Sequence, residues 1–231
     1  MDFEVGLETG STAGSLAWVL NQPGCFASGA NGDEALDRLP AEIAAYWRWL
    51  SGHEVRPPLK PEEIEIRVIE TWVDYLVNDA FERVEQGGYE VSAWFLHDWK
   101  PLTGAEIARG LELLAWSRAD LLATVAGLSQ EALEEKKPGE RWNIKGILRH
   151  VGGAEWWYLD RLGLAFPQRE VPREPLERLE VVRAHLVKTL PGLDGSPQVV
   201  GVDGEFWSPR KLLRRALWHE RDHTAHIRKL L

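Results

Sequence analysis

The sequence predicts two dissimilar parts: a small α+β domain over residues 1–101, an antiparallel sheet with one helix, and an all-α four-helix bundle over residues 102–231. Three observations carry this reading. Apolar residues alternate singly through much of the first part, whereas in the second they recur at helical spacing. Charge divides at the same place, since residues 1–101 hold 7 Lys/Arg against 18 Asp/Glu, a balance of −11, while residues 102–231 hold 20 against 18, a balance of +2. The length of 231 residues exceeds an ordinary four-helix bundle, and 44% hydrophobic with 27% charged residues supplies a sizeable core without a disorder signature.

The same composition excludes several classes. An N-terminal half at −11 lacks the basic stripe that a nucleic-acid binder needs to displace counterions, so no nucleic-acid partner is expected. No apolar run approaches the roughly 20 residues required to span a bilayer. The start, Met1-Asp2-Phe3-Glu4, has no basic or apolar leader character, and Cys25 is the only cysteine, so a cytoplasmic protein without intrachain disulfides is expected. Twelve Trp outnumber Tyr (4) and Phe (6) together, which points to indole as core filler or as pocket wall.

In chain order, Phe3 to Leu7 alternates, Ser15 to Leu20 is an apolar run, and Pro23-Gly24 opens a third stretch, Cys25 to Ser28. Asn31-Gly32-Asp33 offers a turn and a helix cap. Ala35, Leu36, Leu39, Ile43, Trp47 and Leu50 then fall on one helical face up to Gly52, with Pro40 expected to kink or divide the helix. Glu62 to Ile69 and Tyr89 to Phe95 alternate again and read as strands. Pro23 to Gly29 followed by Asp33-Glu34-Ala35-Leu36 resembles the HicB-like antitoxin fold over about fifty residues. That resemblance implies a small sheet with one helix and no chemistry by itself; an antitoxin role would show as binding of a small toxin partner by residues 1–101.

The second part opens with the capping box Thr103-Gly104-Ala105-Glu106, followed by Ile107, Leu111, Leu114, Leu121, Leu122 and Val125 at helical spacing. Asn143 caps a second helix to about Leu162, and a third runs from about Pro175 to Leu190, stopped by Pro191-Gly192. Ser208-Pro209 starts the fourth, with Ser as N-cap and Pro at the first helical position. Between the last two, Asp203-Gly204 flanked by Val199 to Val202 and Glu205 to Trp207 signals a hairpin.

On the last helix, at 100° per residue from Leu212, the apolar Leu212, Leu213, Ala216, Leu217, Ile227 and Leu230 occupy one arc, and Arg and Lys residues fill the other. His219, His223 and His226 fall at about 340°, 20° and 320°, on or beside the apolar centre. His219 and His223 are four residues apart, close enough to share one metal ion, and imidazole suits Zn, Ni, Fe or Cu. Glu220 lies inside the apolar arc, as a partner for a ligating imidazole, a buried partner for an Arg, or a flank carboxylate reaching solvent.

With the second helix, Trp142 to Trp157, the pattern resembles the DinB-like superfamily over residues 102–231. The resemblance implies a divalent metal, Zn, Ni or Fe, held inside the bundle by His150 from helix two and by His219 and His223 from Trp218-His219-Glu220-Arg221-Asp222-His223. His150 itself falls just off the edge of its apolar arc, beside Trp157, while Glu155 is more inward and could ligate, hydrogen-bond a ligating ring, or pair with a buried arginine. His226 departs from the plainest family pattern, as a fourth ligand or a polar pocket residue.

Three His ligands leave a coordination position open, as in catalytic sites. The resemblance implies a metal-dependent transferase that moves a low-molecular-weight thiol, such as bacillithiol or mycothiol, to an electrophilic small-molecule substrate in stress or detoxification. Trp157 and Trp218, with Trp156 and Tyr158, are candidates for the walls of the cofactor pocket. A metal-activated water with Glu220 or Glu155 as general base is the hydrolase alternative, and a metal-binding module without turnover is another. A bundle face could support a homodimer, although the sequence does not single one out.

Overall fold

In the computed structural model, all residues are described except 12–13, 55–56, 58 and the side chain of residue 61. The chain divides into two compact units, one of Met1–Lys100 with Gly201–Trp207 and one of Pro101–Val200 with Ser208–Leu231. The predicted division at 101/102 therefore leaves one element on the wrong side: the hairpin around Asp203-Gly204, expected inside the helical part, clusters with the first unit.

The first unit begins with β1 (Asp2–Ser11), β2 (Gly14–Val19), β3 (Phe26–Gly29), α1 (Gly32–Ser51) and β4 (Glu65–Val73), a sheet in the order β3-β2-β1-β4. The first three strands form an antiparallel meander, but β4 runs parallel to β1. The sheet is mixed, not purely antiparallel as expected. The reason is connectivity, because a strand reached through a helical crossover returns in the direction of the strand that fed it, and the antiparallel meander has already aligned β3 with β1. Asn31 caps α1, accepting from the Glu34 amide at 3.0 Å. The helix buries Ala35, Leu39, Ile43, Trp47 and Leu50, and Trp47 meets Phe3 of β1 edge to face with centroids 6.0 Å apart. Pro40 does not divide this helix. The neighbouring Leu39 and Ile43 are both fully buried, and their packing offsets the hydrogen bond that proline removes.

The rest of the first unit is a three-stranded sheet, β5 (Tyr75–Val77), β6 (Arg83–Val84) and β7 (Tyr89–Val91) in the order β6-β5-β7, together with most of the β8 (Val200–Val202) and β9 (Glu205–Trp207) hairpin. Asp203 and Gly204 take φ of 52° and 76°, as a tight hairpin turn requires. Tyr89 donates to Glu205 across 2.9 Å. Glu8, buried in the first sheet, accepts from the Trp18 indole and the Ala93 amide, each at 2.7 Å.

The second unit consists of helices α2 (Gly104–Val125), α3 (Gln130–Glu134), α4 (Ile144–Arg161), α5 (Pro175–Thr189) and α6 (Pro209–Leu230). Thr103, Asn143 and Ser208 cap α2, α4 and α6 as their sequences predict. Of the four long helices, α4 packs against α5 and α6, and α2 against α6. Leu121, Val125, Ile144, Ile147, Leu148, Val151, Leu179 and Ile227 form one apolar cluster drawn from all four. Leu122, expected inward, is exposed, whereas Arg210, Lys211 and Arg214 on the basic arc of α6 are buried. Among the described residues no helix is long and apolar enough to cross a membrane.

Candidate metal centre

The inward face of α6 and the second turn of α4 bring three imidazoles together. Asn143 fixes where α4 begins, accepting from the Gly146 amide at 2.8 Å, and this sets the direction in which His150 leaves the helix. His219 Nε2 lies 3.0 Å from His150 Nε2 and 3.1 Å from His223 Nε2. One metal ion bound tetrahedrally at about 2.0 Å would hold its nitrogens about 3.3 Å apart, so the three donors stand close to the separation that a shared ion sets. His150 lies off the apolar arc of its own helix yet meets the other two, because an edge position on α4 faces the neighbouring α6.

The surroundings keep the rings in the neutral form that ligates. Burial, and then the charge of Arg141, holds His150 below the ordinary imidazole value. Burial again dominates at His219, held well below it, with contributions from His223, His150 and Arg215. At His223, burial followed by His150 and His226 lowers the value to about 4. Ring packing orients the trio: Trp142 lies 4.5 Å from His150, Tyr158 lies 6.1 Å from His219 edge to face, and Trp218 lies 5.6 Å from His219. Nδ1 of His223 is buried with no hydrogen-bond partner among the described residues, so this ring is oriented by its ring neighbours alone.

The remaining candidates lie elsewhere. His226 pairs with Glu140 at 2.9 Å and is not among the three converging donors. Trp157 packs on Tyr158 and carries Arg161 over its face. Glu155 and Glu220, the expected general bases, are bound by arginines in a buried quartet. Arg118 donates to Glu220 at 2.6 Å and to Glu155 at 3.1 Å, while Arg183 donates to Glu155 at 2.8 and 2.7 Å and to Glu220 at 3.0 Å. The guanidiniums also donate to the backbone oxygens of Leu179 and Leu114. Burial would raise Glu220, but Arg183 and Arg118 outweigh it and hold the carboxyl below its usual value. Carboxylates with their lone pairs held by two guanidiniums tie helices together; they are poorly placed to take a proton from water.

Sequence reasoning did not single out Arg118 or Arg183, nor Trp142 as the cover of His150. Signals existed for each. Arg118 stands between Leu114 and Leu121, and Arg183 between Leu179 and Leu186, at the four-then-three spacing of an inward face. Trp142 immediately precedes the N-cap of α4 and packs on the apolar cluster containing Ile147, the arrangement of a hydrophobic staple.

Three convergent imidazoles from two helices, neutral and partly shielded from water, form a group that could hold a metal ion. Residues 113–227, within the helical part of the chain, match the DinB superfamily model. No curated protein and no solved structure is similar enough to this chain to count as a match.

Proposed function

We propose that the helical unit is a DinB-type four-helix bundle that binds one divalent metal through His150, His219 and His223, and that it transfers a low-molecular-weight thiol to an electrophile. The observation that carries this is the convergence of three Nε2 atoms from α4 and α6 within 3.0 and 3.1 Å. The residues fit such a group by donor type, by spacing and by their neutral state. When bound, the metal would supply a Lewis acid with an open position that lowers the pKa of a coordinated thiol.

The chain's own side chains supply the rest. His219, buried between the other two rings, is the central donor; Trp142, Trp218 and Tyr158 pack against the His150 and His219 rings and fix their orientation. The chain's single cysteine, Cys25, is buried in the first unit, so the reacting thiol comes from a second molecule. The commitment of Glu155 and Glu220 to arginines removes the general bases that the hydrolase alternative requires.

Elemental analysis of purified protein against a His219→Ala/His223→Ala variant tests the site. Near-stoichiometric metal lost in the variant is the expected result, and equal traces in both would refute it. Metal-dependent conjugation of monochlorobimane with a panel of small thiols tests the activity. Binding of metal with no conjugation by any thiol would leave a metal-binding module without turnover and refute the transferase.

A further inference from the structure

Two short stacks flank the histidine centre. In one, Arg141 Cζ lies 4.4 Å above the Trp142 ring, whose centroid lies 4.5 Å from that of His150 with 32° between the planes. In the other, Arg215 Cζ lies 4.5 Å above the Trp218 ring, 5.6 Å from His219 with 54° between the planes. Both run guanidinium, indole, imidazole, and the imidazoles at their inner ends are the two whose Nε2 atoms stand 3.0 Å apart. The His150 and His219 rings thus each have a cation one indole away.

A guanidinium laid by its face on an indole keeps its in-plane N–H groups directed outward, where they match the two oxygens of a carboxylate. Arg141 is exposed and forms no ion pair among the described residues. Glu140 is held by His226 at 2.9 Å, and Glu155 and Glu220 are held by Arg118 and Arg183.

Resting on the metal-site reading above, we propose that the centre selects an anionic ligand, a small thiol that carries a carboxylate, with Arg141 as the residue that receives the carboxylate. The sulfur approaches the open metal position and the carboxylate stays at the rim. A neutral thiol of the same size gains the first contact and not the second. Selection is by charge, and it is separable from metal binding because neither arginine is a donor to the ion.

The test uses the full-length protein loaded with Co(II), whose absorption reports both metal uptake and thiolate coordination. The probes are 3-mercaptopropionate and 3-mercaptopropanol, which differ only at the charged end. Wild type is expected to bind the carboxylate about fivefold more tightly than the alcohol, the scale of a partly exposed charge pair. Arg141→Gln is expected to bring that ratio close to one while cobalt uptake and alcohol affinity stay unchanged, and Arg141→Lys to retain part of it. Equal affinity for both thiols in wild type, or an undiminished ratio in Arg141→Gln, would overturn the proposal. Failure to take up cobalt at all has a different signature, no metal spectrum before any thiol is added, and would overturn the metal site and this selection with it.

Discussion

At the scale of single residues, the helical unit depends on a few polar side chains buried where apolar ones are usual. Arg183 is 7% exposed and is bound on both sides by carboxylates; burial opposes its charge, but Glu155 and then Glu220 raise its pKa further above the ordinary arginine value. Two arginines and two glutamates in one cluster balance formally, so removing one cation leaves an uncompensated buried carboxylate. Arg183→Met is therefore expected to cost about 3–5 kcal/mol in urea unfolding, the scale of a broken buried pair. A loss below about 1 kcal/mol would show that the quartet is solvated and contributes little. The apolar stem of the substituted Met keeps much of the volume, so the loss reports charge more than cavity.

At the scale of elements, the starts of α2 and α6 are tied by one carboxylate. Glu106 completes the capping box with Thr103, accepting from its amide at 2.8 Å, and also receives Arg210 at 2.6 and 2.9 Å. The Arg210 hydrogen bond is the largest influence on Glu106; burial opposes it, Thr103 reinforces it, and the pKa falls from 4.5 to about 2. A carboxyl whose value is depressed on folding contributes stability that is present above its unfolded pKa and lost as pH falls through the folded one. The stability of wild type should therefore decline between pH 4.5 and 2 more steeply than that of Glu106→Gln, measured by chemical denaturation at each pH. Parallel curves would rule out this linkage. The carboxylate is half-exposed, so the difference will be smaller than the shift alone implies.

At the scale of the whole molecule, the proposed metal would join α4 to α6, so binding and folding of the helical unit are coupled. Free metal at about 100 times its dissociation constant stabilises a protein that binds it only when folded by about 2.7 kcal/mol. Calorimetry should show a transition that rises with added metal, falls with chelator, and does not move in the His219→Ala/His223→Ala variant. A transition insensitive to metal in wild type would contradict the site. Where the two units each melt, only that of the helical unit should respond, since all three donors lie within it.

Local chemistry was legible in the sequence wherever one residue type has one structural use. Asn31, Thr103, Asn143 and Ser208 announced their helices because a side-chain oxygen before an apolar periodic run satisfies amides that otherwise have no partner. Asp203-Gly204 announced its hairpin because few residues tolerate positive φ twice in succession. The spacing of His219 and His223 placed both on one face of α6, as helical geometry requires. What the sequence could not decide were the contacts between elements distant in the chain. The parallel pairing of β4 with β1 follows from a crossover whose direction no local pattern records, and the return of residues 201–207 to the first unit follows from packing. The roles of Glu155 and Glu220 turned on Arg118 and Arg183, which stand 28 to 102 positions away along the chain. His150 reached the other two imidazoles only through the packing of α4 against α6, since a helical wheel describes one helix and says nothing of what its edge meets.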